Sequence, residues 1–125
     1  MIRHSLIMLM LALSPLTLAQ ADSLKADKFI KFVKEADADA SSDCNQRGGL
    51  RVFIINEHPD QIVDIQLDRY FAEVRQPGRS MFALENGHKL PLGCDIVMDS
   101  PQRWELLDAE FISRNQAEAR YGMIY

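Results

Sequence analysis

The chain has 125 residues, a formal net charge of −4, 26% charged residues and only two cysteines. That length holds one domain of ordinary size and no more. An acidic balance argues against a nucleic-acid or anionic-membrane partner held by charge.

The chain opens with Arg3, then runs uncharged from Leu6 to Leu13 before Pro15 and Ala19-Gln20-Ala21. A basic start, a short apolar run and a small-x-small ending predict a secretory signal peptide over 1–21, cut after Ala21. The run is too short for a membrane helix, which needs roughly 18 apolar residues. No cysteine adjoins the cut, so no lipid anchor is expected. These features predict a soluble bacterial protein, periplasmic or secreted. Ser23 can cap a helix over about 24–36, with Ala26, Phe29, Ile30 and Val33 at i, i+3, i+4 and i+7. Asp37 to Asp43 offers nothing to bury and reads as a linker. Residues 22–43 are therefore expected to be helix and linker, and residues 44–125 the β domain.

Asn45 to Gly49 supplies a turn, and Leu50 to Ile55 a strand with apolar residues on both faces, which suits a central position or cover from the N-terminal helix. Pro59 breaks the chain after it. Ile62 to Arg69 alternates: Val63, Ile65 and Leu67 point one way, and Asp64, Gln66 and Asp68 point to water. A phase shift in the apolar residues predicts a bulge near Arg69. Gln76 to Arg79 is a turn, followed by the apolar Ser80–Leu84. Asn86-Gly87 then predicts a hairpin, with His88–Cys94 as its return arm. Pro91 keeps that arm from a central position. Asp99 to Gln102 is another turn, and Trp104 to Ile112 the last clear strand. Gln116–Tyr121 can make one helical turn, and Met123–Tyr125 a terminal strand. Five to seven short strands with turns between them predict a mainly β fold, a small antiparallel β-sandwich with one N-terminal helix.

Two cysteines in an exported small domain predict a Cys44–Cys94 disulfide. With the Asn56 turn, the Ile62–Arg69 strand, Leu92-Gly93-Cys94 and the Trp104–Phe111 strand, the chain resembles small exported bacterial β-sandwich domains of immunoglobulin-like shape. It departs from true immunoglobulin domains in that Trp104 follows the second cysteine instead of lying between the two. The resemblance implies a role in adhesion, assembly, inhibition or carriage and does not choose among them.

No motif for catalysis, metal or cofactor is present. Ser80, Ser100 and Ser113 lack a nucleophile-elbow setting. Gly48-Gly49 precedes a strand, so it is a turn and not a phosphate loop. Asp64 with Asp68, and Asp108 with Glu110, read as wet strand faces. A hydrolase would have to gather His58 and His88 with acids such as Glu57 or Asp60. A carrier of a small apolar ligand would need a cavity behind Phe29 and Phe32. The expectation preferred over both is a module that binds a partner protein through a sheet edge. Met81, Phe82, Tyr121, Met123 and Tyr125 supply its apolar contacts.

Overall fold

A computed structural model of the chain describes residues 25–125. The expected signal peptide and its cut site, with the Ser23 cap, lie outside the described residues. The fold is mainly β, and every strand pairing is antiparallel. A 3-10 turn, Ala26–Phe29, leads into β1 (Ile30–Glu35), a short helix α1 (Asp43–Gln46), β2 (Arg51–Asn56) and β3 (Ile62–Phe71). Then come β4 (Val74–Arg75), β5 (Ser80–Leu84), β6 (Lys89–Cys94), β7 (Ile96–Val97), β8 (Ser100–Ile112) and α2 (Arg114–Tyr121). One sheet has the order β1-β2-β6; the other runs β4-β3-β8-β7, with β5 also on β3. Eight strands among the described residues exceed the expected five to seven because β4 and β7 are only two residues long.

The helix expected over 24–36 does not form. Only Ala26–Phe29 winds, and Ile30–Glu35 runs as an edge strand against β2, from Ile30 opposite Asn56 to Glu35 opposite Arg51. Phe29, Ile30, Phe32 and Val33 are aromatic or β-branched and suit a pleated surface. Helical and extended backbones both bury Ile30, so its burial does not separate the two. The ladder to β2 does. The linker that follows is tied down: Arg51 pairs with both Asp37 and Asp43, and the Asn45 amide donates to the carbonyls of Asp37 and Asp39.

The Asn86-Gly87 hairpin is also replaced. β5 pairs with β3 whereas β6 pairs with β2, so the turn carries the chain from one sheet to the other. Asn56, wholly buried, is the reason. Its backbone N–H donates to His88 O at 3.1 Å and its carbonyl accepts from Gly87 N–H at 2.8 Å, which draws β6 onto β2. Its side chain donates to Gln61 O (2.9 Å) and Leu84 O (3.0 Å) and accepts from His58 N–H (3.0 Å). Every polar atom of this buried amide is therefore satisfied in a way that locks three chain segments together. Tight two-residue turns occur instead at Ala72-Glu73 and Met98-Asp99, all four residues at positive φ. The second of these shortens the turn expected over 99–102, and β8 begins at Ser100. β3 runs unbroken through Arg69; the register shift lies between Gln66 and Leu67, where Leu107 is the extra residue of β8.

Both sheets feed one core. Ile30 and Ile54 meet Val63, Ile65, Leu67, Phe82 and Leu84, with Leu90, Leu92, Trp104 and Phe111 packed around them. The buried Cys44 and Cys94 are bonded and tie α1 to the end of β6. The other face of β3 is not wet as expected, since Asp64 and Asp68 are each only 7% exposed. α2 lies across that face, started by a reciprocal Ser113–Gln116 capping box, and packs Ala117 against Ile62, Ala83 and Ile112. Its Arg120 pairs with Asp64, and Tyr121 Oη donates to the same carboxylate at 2.5 Å. Asp68 is paired with Arg75 and Arg79 at 3.3 and 3.4 Å.

Two stability outcomes follow from this packing. Cys94→Ala opens a loop spanning a sequence separation of 50; the chain-entropy estimate is ~4 kcal/mol, and calorimetry should show a melting temperature lower by roughly 15 °C or more. Asp64→Ala removes a charged acceptor from Arg120 and Tyr121 and should cost about 1.5–3 kcal/mol in denaturant titration, against less than about 0.5 kcal/mol for a solvated strand residue.

Candidate functional site

In an antiparallel ladder the N–H and C=O of successive residues point alternately toward and away from the partner strand. Along β5, Leu84, Phe82 and Ser80 face β3, whose Val63, Ile65 and Leu67 lie opposite them. Ala83 and Met81 therefore turn their main-chain groups outward. Ala83 O accepts from Tyr125 N–H at 3.0 Å, and Tyr125 O accepts from Glu85 N–H at 2.7 Å. Beyond that pair, no strand among the described residues meets Met81 N–H, Met81 C=O or Ala83 N–H. Met81 itself is 48% exposed.

Beside this edge lies an open cleft of about 360 Å³, lined by Ser80, Met81, Phe82, Leu90, Pro91, Leu92, Trp104 and Tyr125. It exists because β5 and β6 leave their shared turn for different sheets, so their free edges face one another without pairing. The Tyr125 ring stands edge-on to Phe82, with centroids 6.0 Å apart at 87°. Gly93, at φ 154, makes room for the Trp104 indole; a Cβ there would come within 3.0 Å of the ring.

The two edges of the cleft differ. On β6, Leu90 faces β2 opposite Ile54, so Pro91 turns its nitrogen to the open side. That edge cannot donate at Pro91. The Met81 edge carries no proline and no charge, which are the usual protections of an exposed edge. A wider groove of about 620 Å³ follows the open side of β8, but Lys25, Asp27, Asp108 and Glu110 line it. Apolar chemistry and the free main-chain donor of the exposed Met81 coincide at β5, where Ala83 is wholly buried.

Of the residues expected to bind a partner, Met81, Phe82 and Tyr125 come together at the cleft, with Phe82 mostly buried beneath it. Tyr121 and Met123 do not. Tyr121 sits against Asp64 with its phenol pushed up, first by burial and then by that carboxylate. Met123 is 51% exposed and lines neither groove. Leu90, Leu92 and Trp104 complete the cleft. Only Pro91 marked the strand of Leu90 and Leu92 in the sequence as an edge, and their place opposite β5 follows from the sheet crossing at residues 85–88; Trp104 reaches the cleft from β8, opposite Arg69 of β3.

The two histidines among the described residues play other parts. His58 packs edge-on between Phe29 (4.5 Å) and Phe111 (5.1 Å). Its Nδ1 accepts the backbone N–H groups of Asp60 (3.1 Å) and Gln61 (3.0 Å), so it holds the loop after β2. Phe29 is thus taken up by ring contacts, and Phe32 is 36% exposed. His88 is exposed on the turn. Among the described residues, the one group with the spacing of metal ligands is Asp43, Cys44 and Cys94, whose two sulfurs are bonded to each other. Strong ion pairs serve the frame: a hydrogen bond from Arg75 holds Asp68 below its usual carboxylate range, and one from Arg51 does the same for Asp37.

No protein-family model, no curated protein and no solved structure matches the chain, so its function has to be read from this edge and cleft.

Proposed function

We propose that the chain is a soluble, exported interaction module, periplasmic or secreted, that binds a partner protein by taking one of its extended segments onto the β5 edge. The observation that carries this is the unpaired main chain of the exposed Met81 beside an apolar cleft. Strand addition draws its affinity from such groups and its selectivity from alternate side-chain pockets. The site needs no cofactor, and its neutral, apolar lining suits a protein segment over a nucleic acid.

The compartment is supported by the leader-like N-terminus and the buried Cys44–Cys94 bond, since structural disulfides persist in oxidising surroundings. No helix of the described residues is long and apolar enough to cross a membrane. In this reading the two sheets form a small sandwich, supported by a core cluster that draws side chains from both. The resemblance to immunoglobulin-like domains then extends to two antiparallel sheets over one core. A hydrolase built on His58 and His88 has less support, because His58 is engaged by backbone N–H groups and rings.

Capture of a partner from periplasmic extract tests the proposal. Met81→Arg should reduce capture at least tenfold with circular dichroism unchanged, because it places a desolvated charge at the edge. Leu107→Arg on the exposed face of β8 and His88→Ala should capture as the parent does. Undiminished capture by Met81→Arg, or its loss in His88→Ala alone, would overturn the reading.

A further inference from the structure

The β5 edge already holds one extended residue, and the manner of its seating says what else fits. Tyr125 donates to Ala83 O and accepts from Glu85 N–H. One residue bonded to both neighbours of Leu84 is the pattern of a parallel pair, whereas an antiparallel pair would exchange both bonds with a single residue. Continued in that register, the residue two places earlier meets Met81 C=O and Ala83 N–H, and the residue four places earlier meets Met81 N–H. The chain's own tail does not continue in it, because Gly122, at φ 76, has just turned out of α2. About five residues of parallel strand therefore fit where the chain supplies one.

We propose that Met123–Tyr125 is a resident stand-in for the partner: an extended segment bearing an aromatic residue opposite Leu84 adds to β5 in the parallel sense and displaces these three residues from the edge. This rests on the reading of the β5 edge as the docking site. The polar hold on the tail is light: two main-chain bonds and one ring contact, with Met123 and Tyr125 51% and 43% exposed. Its one apolar anchor is Ile124, packed against the cluster of Ile62, Ala83, Ile112 and Ala117. The anchors of α2, Ala117 in that cluster and Arg120 and Tyr121 on Asp64, precede Gly122, and Ile124 alone follows it. Displacement of the tail draws Ile124 off the cluster, uncovers Ala83 and leaves α2 on the sheet. The aromatic preference comes from the cleft, where the Tyr125 ring meets Phe82 beside Trp104. While it is seated, the tail lowers the apparent affinity of any partner by the fraction of time the edge is covered.

Trp104 is the only tryptophan of the chain and lines the cleft, so its fluorescence reports occupancy. The probe is an N-acetylated synthetic peptide with the sequence of residues 121–125. It is titrated into the intact chain, into a chain lacking residues 123–125, and into that shortened chain carrying Met81→Pro. Proline at 81 removes an outward N–H and spares the ladder to β3. The expected result is saturable binding to the shortened chain, at least about tenfold weaker binding to the intact chain, and none with Met81→Pro. Equal affinity for the intact and shortened chains, no binding to the shortened chain, or binding that survives Met81→Pro would each overturn the proposal. If shortening unfolds the chain, Tyr125→Gly takes its place, and peptide binding no tighter than to the parent overturns it. Should the peptide fail while Met81→Arg still abolishes capture from extract, the edge remains the docking site and the stand-in falls.

Discussion

β3 is the strand on which the rest of the molecule depends. It pairs with β8 along one side and with β5 and then β4 along the other, so its own backbone is spent inside the sheet. Both of its faces are covered as well, the inner one by the shared core and the outer one by α2 and two arginines. A slip of one residue would send Asp64 and Asp68 into the apolar core and Ile65 and Leu67 onto their ion-pair partners, so the register has one solution. Because β3 holds β5 from one side only, the other side of β5 becomes the edge of the sheet. The candidate site is a consequence of the topology.

Two local devices shape that edge into a cleft. Asn56 pins the turn between β5 and β6 at one end, bonding to Leu84, Gly87 and His88 around the crossing. The disulfide fixes the far end of β6 to α1. Between them the two strands diverge into separate sheets and cannot close on each other, and the gap is walled by the side chains of both. Pro91 silences one wall as a hydrogen-bond donor and leaves the other, at Met81, open.

Much of this was legible in the sequence, and the misses have physical causes. The alternation at Ile62–Arg69 named the inward residues Val63, Ile65 and Leu67 correctly, because a period of two needs no knowledge of neighbours. It misjudged Asp64, whose cover comes from α2, a polar helix with little apolar periodicity of its own, and Asp68, whose cover comes from Arg75 and Arg79. The Cys44–Cys94 bond was readable from cysteine count; apolar residues on both faces of Leu50–Ile55 left a central place or cover from a helix open, and β2 is central between β1 and β6. Residues 24–36 carry a helical spacing that the ladder to β2 overrides. Asn86-Gly87 has the right chemistry for a hairpin, yet Asn56, thirty residues earlier in the chain, captures its return arm. Met81, Phe82 and Tyr125 were readable as edge residues, whereas Leu90 and Leu92 join them only through that crossing and Trp104 through the pairing of β8 with β3.

The claim that β5 presents an unpaired main-chain edge is tested most directly by amide hydrogen exchange along Ser80–Glu85. The alternation predicts slow exchange at Phe82 and Leu84, which donate to β3, and fast exchange at Met81, which faces outward and is 48% exposed. Addition of a captured partner should then slow Met81 and leave Phe82 and Leu84 unchanged. Met81 as protected as Phe82 and Leu84 in the free protein, or unaltered by the partner, would contradict the account.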